Sequence, residues 1–442
     1  MRSIPIGLFT ILLAFAAFAQ KPDDIIAIGN GHTIRLRDLS PEIQKQVTGF
    51  SADVLTTRAA LFDQIVTEKL LDLEARARGV AVSTLLNAEK AKAAAPTEVE
   101  IRSLYTSRQD VFSGKTLDDA RKSITDYLRR LAEQKVVSDL IGTLRTKYKF
   151  SAGKDITSPA ISPTDMIAMI NGMPLTDKEF EEFGRVPLYQ DKADLADAVV
   201  GDATDKLYNE LLVDEAKALG VDTSALIAKE ITDKLKDFTD EERTARTNEL
   251  RKRLFTKYQG KIVYQVPEPL VQNISAADSP ATGPVNAPVT VIMFSDFQCS
   301  ACSATHPIMK KAMEAYPGKI RFIVRNFPLE TVHANAWRAA LAAEAAKAQG
   351  KFFEYTEILY AHQDALDESS LKKYATDLGL NAKQFEIDFN SERTAATVRR
   401  DVADGKSYGI AGTPSIYVNG VFMRHLSVEA FRAAIDKVLQ AI

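Results

Sequence analysis

The sequence predicts a multidomain protein: a mainly α-helical N-terminal half built from a duplicated module, followed by a C-terminal α/β domain with a helical insertion. Three observations predict this. Motifs in the first half return at a constant offset. A stretch rich in Ser, Ala, Pro and Gly interrupts the chain near residue 280. Beyond it, apolar β-branched runs alternate with helical periodicity.

At the N-terminus, Arg2 precedes the uncharged stretch Ser3 to Gln20, which carries Ile11-Leu12-Leu13-Ala14-Phe15 and then Ala17-Phe18-Ala19. This pattern reads as a secretory signal peptide over residues 1–19 with a small-x-small cleavage site. A permanent anchor fits less well, since the apolar stretch is shorter than the roughly 18 residues that span a bilayer. The mature protein is therefore expected to be soluble and periplasmic, or otherwise extracytoplasmic, where disulfides persist.

The first half repeats itself. Ile26-Ala27-Ile28-Gly29-Asn30-Gly31 returns as Ala168-Met169-Ile170-Asn171-Gly172 preceded by Ile167, and Leu70-Leu71-x-x-Glu74-Ala75 returns as Leu211-Leu212-x-x-Glu215-Ala216. Both are displaced by 141 residues (30 to 171, 74 to 215). Each unit opens on a short strand with an Asn-Gly turn, runs into amphipathic helix, places glycine at a helix end (Gly79, Gly220), and closes on Thr-Lys-Tyr, at Tyr148 and Tyr258. The closing motifs lie only 110 residues apart (148 to 258), so the second copy is trimmed. Modules are expected over 20–155 and 160–264.

The run Ile167 to Thr176 and its helices resemble the N-terminal helical domain of SurA-like periplasmic chaperones and parvulin-type prolyl isomerases. Between Tyr148 and Met166 lie 17 residues, too few for a parvulin domain. The resemblance therefore implies a helical cradle for unfolded polypeptide without isomerisation. A purely structural role, dimerising the chain or spacing its C-terminal domain, fits the same residues.

Val266-Pro267-Glu268-Pro269 and Ser275 to Pro288 read as an irregular linker, 265–284, and a further domain as 285–442. Val289 to Phe294 has the length and branching of a buried strand, and Ser303 to Tyr316 reads as a helix. Between them stand the chain's 2 cysteines, as Cys299-Ser300-Ala301-Cys302. A cysteine at a helix N-terminus has its thiolate stabilised by free N–H groups and the helix dipole. One turn on, the second thiol can close a ring with it, so the pair can exchange two electrons. A zinc site would need about four ligands, and neither a second cysteine pair nor paired histidines among His32, His306, His333, His362 and His425 supply them. A structural bridge across so short a loop would add little stability. No metal and no cofactor are expected.

A second strand, Ile320 to Val324, precedes a mostly helical span from Ala334 to Tyr408; then come Ser415 to Val418, the Asn419-Gly420 turn, Val421 to Met423 and a helix after Ser427. Strand, CxxC helix, strand, helical insertion, hairpin and helix is the order of a thioredoxin fold.

Phe294 to Cys302, Phe327-Pro328-Leu329 with His333 and Ala336, Gln349 to Phe352, and Gly409 to Ser415 resemble the DsbA-like thiol:disulfide oxidoreductases. By that resemblance Cys299 attacks and carries the mixed disulfide, Cys302 resolves it, and Pro414 is a cis-proline that leaves the backbone of Thr413 to pair with an extended substrate. Two positions depart from the family. Met293 stands where many relatives carry a buried acid, with Asp296 either a substitute or a solvated turn residue, and Ser300-Ala301 lacks the histidine of strongly oxidising members. His306, four residues after Cys302 and on the same helical face, reads as a partly exposed helix residue, with tuning of that thiol as the alternative.

The expected function is thiol–disulfide exchange on unfolded or cysteine-containing exported proteins, with a membrane redox partner that reoxidises or reduces the pair. Alternatives are a disulfide isomerase or reductase, a non-enzymatic chaperone with a secondary redox domain, and a redox switch. A homodimer is compatible with the helical repeats. A net charge of -3 without a basic block argues against nucleic acid.

Overall fold

The computed structural model describes residues 21–276 and 278–442; the signal peptide expected over 1–19 lies outside them. The chain divides into two compact units, one ending at Arg58 and resuming over Leu188–Glu268, the other comprising Ala59–Pro187 and Pro269–Ile442. These do not follow the boundaries drawn at 20–155 and 160–264, and strand pairing explains why.

In the first unit, Ile25–Gly29 and His32–Arg35 form an antiparallel hairpin. Asn30 and Gly31 both have positive φ, 49° and 83°, as a tight primed turn requires. The third strand is Lys261–Ile262, which follows the helix Asp240–Lys257. Ile26, Ala27, Ile34 and Leu36 are buried against Val199, Leu207, Leu211, Leu250 and Leu254. The hairpin that opens the first repeat therefore closes over helices of the second.

The second unit holds the reciprocal arrangement. Met166–Ile170 and Met173–Thr176 pair about the turn Asn171–Gly172, and their third strand is Ser151–Ala152, which follows the helix Leu117–Lys147. Each hairpin thus takes its edge strand from the other copy. The polar contacts repeat as well. Asn171 N–H donates to Tyr148 O at 2.6 Å, as Asn30 N–H does to Tyr258 O at 3.1 Å. The buried Glu74 carboxylate accepts from Lys147 and from Tyr148 Oη at 2.8 Å. Glu215 accepts from Lys257 and from Tyr258 Oη at 2.7 Å. The trimming is also visible: the helix Glu98–Ser107 has no counterpart after Thr223–Glu230, and the closing helix has 18 residues where the earlier one has 31.

The segment 265–284 is not wholly a linker. Gln272 N–H donates to Gly420 O at 2.8 Å, Val324 N–H donates to Pro280 O at 3.0 Å, and Ala281–Thr282 pairs with Ile320–Asn326. The C-terminal domain therefore begins near Leu270. Edge pairing uses backbone groups, which leave no apolar pattern in the side chains.

Its five-stranded sheet runs in the order Val421–Phe422, Ser415–Val418, Val289–Ser295, Ile320–Asn326, Ala281–Thr282. The central pair, Val289–Ser295 with Ile320–Asn326, is parallel and the other pairings are antiparallel. Both central strands are buried almost throughout, consistent with their continuous apolar runs. The helix Ser300–Met313 and the final helix Val428–Gln440 pack with the sheet into one core, to which the inserted helices Ala336–Lys347, Phe352–Ala361, Glu368–Asp377, Ala382–Phe389 and Glu392–Ser407 contribute Leu341, Tyr355, Leu371, Phe385 and Val398.

Candidate active site

The apolar run of Val289–Ser295 delivers the chain to one end of the sheet, and the turn Asp296 to Gln298 leads into the helix Ser300–Met313. Cys299 is the N-cap residue of that helix. Its side chain is thus set among the unpaired N–H groups of the first turn. The two cysteines are unbonded thiols.

They differ sharply. Cys299 is 8% exposed and Cys302 is fully buried. The Cys299 thiol is lowered to about 5, first by the hydrogen bond from Cys302, then by contact with Thr413 and by the N–H groups of Cys302 and Ala301, against an opposing effect of burial. Burial pushes the Cys302 thiol far up, and the neighbouring Cys299 reinforces this. Cys299 keeps a small exposure and is held toward the thiolate while Cys302 is wholly buried and held protonated, an asymmetry suited to thiol–disulfide exchange.

Opposite them, Thr413–Pro414 is a cis peptide bond. Cys299 Sγ lies 3.4 Å from Thr413 O. Ser415 of the following strand pairs with Phe294 and Ile416 with Met293, so sheet register carries the proline to the cysteines. The structure thus brings together the residues named from sequence: Cys299, Cys302, Thr413 and Pro414.

Several residues of the site escaped the sequence reading. Gln363, from the helical insertion, donates to Phe297 O at 3.0 Å and Cys299 O at 2.8 Å, fixing the turn from outside. Tyr360 Oη and Ser295 Oγ are 2.6 Å apart, and burial raises the Tyr360 phenol well above its ordinary range. Asp296 is not a solvated turn residue. It is 1% exposed, and its carboxylate accepts from Gln298 N–H at 2.7 Å, Leu329 N–H at 2.8 Å and His333 Nδ1 at 2.7 Å. His306, expected to be partly exposed, is 9% exposed; its Nε2 lies 3.0 Å from Glu357 Oε1 and its ring packs on Tyr360 at 5.0 Å. Met293 is fully buried in the sheet. Among the described residues, no cluster of three or more His, Cys, Asp or Glu side chains could hold a metal ion.

The family model described as Thioredoxin matches residues 275–437. Residues 275–437 form a thioredoxin-like domain.

Solved structures similar to this thioredoxin-like part include a thioredoxin-like oxidoreductase from Silicibacter pomeroyi DSS-3, 24% identical, covering 38% of this chain and 95% of that one with a TM-score of 0.35. BdbD from Bacillus subtilis is 24% identical over 39% of this chain and 100% of that one, with a TM-score of 0.36. Wolbachia pipientis alpha-DsbA1 is 21% identical over 38% and 94%, with a TM-score of 0.35. Among curated proteins, the chain is 38% identical over 156 residues to a protein named Na(+)/H(+) antiporter NhaA 3 from Salinispora tropica, covering 35% of this chain and 24% of that one. This chain spans about a quarter of the length of that relative. Among the described residues no helix is long and apolar enough to cross a membrane.

Proposed function

We propose that this protein is an exported, DsbA-like thiol–disulfide oxidoreductase acting on cysteines of unfolded or folding proteins. The observation that carries this reading is the placement of Cys299: N-cap of its helix, thiolate favoured, facing Thr413 O beside Pro414, with Cys302 buried behind it. In the oxidising direction a substrate thiolate attacks Cys299 of the disulfide and Cys302 leaves as thiolate, taking up a proton. A second substrate thiolate then attacks the substrate sulfur of the mixed disulfide and releases Cys299. Two electrons pass from substrate to enzyme, and a membrane redox partner removes them. Run backwards, the same steps make a reductase; in an isomerase reduced Cys299 attacks a substrate disulfide and a substrate thiolate then releases it, with no net transfer of electrons.

A second element of the proposal is that the helical repeats hold client chains near the cysteines, as the resemblance to SurA-like chaperones suggests. Supporting it, a cavity of about 860 Å³ is lined by Leu71, Val80 and Val82 of the helical segment and by Leu329, Ile410 and Ala411 of the thioredoxin-like domain. Val186 N–H donates to Gly409 O at 3.3 Å, and at φ +75° a Cβ on Gly409 would lie 2.5 Å from Glu182 O. Export rests on the Arg2 to Gln20 pattern.

The test is oxidative refolding of a reduced dithiol protein by the oxidised enzyme, with the potential of the pair measured against glutathione. A value near about -120 mV supports disulfide donation, and one near about -270 mV a reductase or isomerase. Refolding aid that survives Cys299→Ala would favour the chaperone reading instead.

A further inference from the structure

The dipeptide Ser300-Ala301 carries no imidazole, yet the fold brings one to Cys299 from elsewhere. Four hydrogen bonds stitch the segment Phe327 to Asn335 onto the approach to the cysteines. Phe327 N–H donates to Ser295 O at 2.8 Å, and Leu329 N–H to Asp296 Oδ2 at 2.8 Å. His333 Nδ1 lies 2.7 Å from the same Oδ2, and Asn335 N–H donates to Gln298 Oε1 at 2.8 Å. Cys299 N–H in turn donates to Asp296 O at 3.2 Å. His333 is therefore anchored to the residue on which the Cys299 turn itself closes.

The chemistry of the contact sets the tautomer. A carboxylate only accepts, so Nδ1 carries a hydrogen and further protonation falls on Nε2. Asp296 already takes two backbone N–H groups, and the imidazole completes its set of donors. The His333 ring is a quarter exposed, so Nε2 can exchange its proton with solvent. The Asp296 hydrogen bond raises the imidazole above its ordinary value, and the charges of Asp296 and Cys299 add to this. Cys302, which donates to the Cys299 thiol, also favours its charge, and the buried phenol of Tyr360 is held neutral by burial first and then by the charges of Cys302, Asp296 and Cys299.

We propose that His333, oriented by Asp296 as its positioning residue, is the cationic partner of the Cys299 thiolate, supplying from the segment after the second central strand the charge that the intervening dipeptide lacks. The inference rests on the redox reading above. The imidazolium offsets the charge of Asp296, the residue on which the Cys299 turn closes, and its removal leaves that charge uncompensated. Reduced enzyme is then less stable relative to oxidised, so the pair becomes more reducing.

The test compares wild type, His333→Gln and His333→Lys in the full mature chain by two readouts. Thiolate absorbance of the reduced protein is titrated against pH, and the dithiol is equilibrated with glutathione. The glutamine variant should move the Cys299 midpoint upward by about one unit and shift the glutathione equilibrium about tenfold toward the disulfide, about 30 mV more negative. The lysine variant should recover part of both. Unchanged midpoint and equilibrium in a folded His333→Gln protein would overturn the proposal, as would equal loss in both variants. Failure of the redox reading looks different: the wild-type pair would not exchange with glutathione, while its thiolate titration stayed measurable.

Discussion

Cys299 Sγ faces the carbonyl oxygen of Thr413 across 3.4 Å, with the Pro414 ring next in the chain. Strand register alone brings these two segments together, since Ser415 pairs with Phe294 at the end of the strand that leads to the cysteines. Under the proposed reaction, an extended substrate cysteine pairing with the Thr413 backbone would meet one sulfur, because Cys302 is fully buried.

That asymmetry predicts which variant traps substrate. Cys302→Ala retains the Cys299 nucleophile and removes the group that resolves the mixed disulfide, so covalent enzyme–substrate adducts should accumulate. They should be visible on non-reducing gels and vanish with dithiothreitol. Cys299→Ala should give no adducts, because the remaining thiol is inaccessible and protonated. Equal trapping by the two variants would contradict the assignment of attacking sulfur.

The thiolate sets a pH dependence. Cys299 falls from 9.0 to about 5 in the folded reduced protein. For an acid lowered by folding, the stabilising contribution is complete above the unfolded value and is lost as pH falls through the folded one. Reduced enzyme should therefore gain stability over oxidised enzyme as pH rises from about 5 to 9, since the disulfide has no proton to lose. Denaturation of both forms across that window checks the sign. Alkylation of Cys299 by iodoacetamide should show a midpoint near 5 rather than 9.

Much of this arrangement was legible in the sequence. The buried runs Val289 to Phe294 and Ile320 to Val324, the Asn-Gly turns and the CxxC spacing are local signals, and the elements they predict are present. What the sequence hid was pairing at a distance. Nothing in Ile26 to Gly31 says whether its third strand follows Tyr148 or Tyr258, because the two closing segments carry the same Thr-Lys-Tyr signal. The strand Ala281–Thr282 and the Gln272 bridge were read as linker, since Ser, Pro and Gly signal irregular chain whether or not its backbone is paired. In the site, Asp296 was ambiguous because turn position does not reveal burial, and Gln363 was invisible because it meets Cys299 only in three dimensions.

A buried ion cluster at the end of the second central strand predicts a large stability effect. Arg325 and Asp401 are both fully buried, with Nε 2.8 Å from Oδ1, and Asp401 Oδ2 also accepts from Asn326 N–H at 3.1 Å. Removing one partner leaves an uncompensated charge in the core, which costs about 3–5 kcal/mol. Asp401→Ala should lose stability on that scale in urea titrations. Arg325→Met with Asp401→Leu should recover only part of it, because Asp404 and Arg400 then lose an ion partner and the buried Asn326 N–H loses its acceptor.

The twin carboxylates of the helical half predict paired behaviour. Hydrogen bonds from Lys147 first, then Tyr148 and Arg78, hold Glu74 down to about 2 from 4.5 against the opposing effect of burial, and Lys257 and Tyr258 lower Glu215 in the same sense. Depressed acids stabilise the fold above their unfolded value and lose that contribution as pH falls through the folded one. Glu74→Gln keeps an acceptor for Tyr148 and removes only the charge. Its cost at pH 7 should be on the order of 1 kcal/mol, since Lys147 and Arg78 are half exposed and screened. The cost should shrink toward zero between pH 4.5 and 2. Hydrogen exchange localises the effect: Glu74→Gln should speed exchange at Asn171, bonded to Tyr148 O, and Glu215→Gln at Asn30, bonded to Tyr258 O. Exchange that accelerated at the same sites in both variants would show that the two constellations are not independent copies of one device.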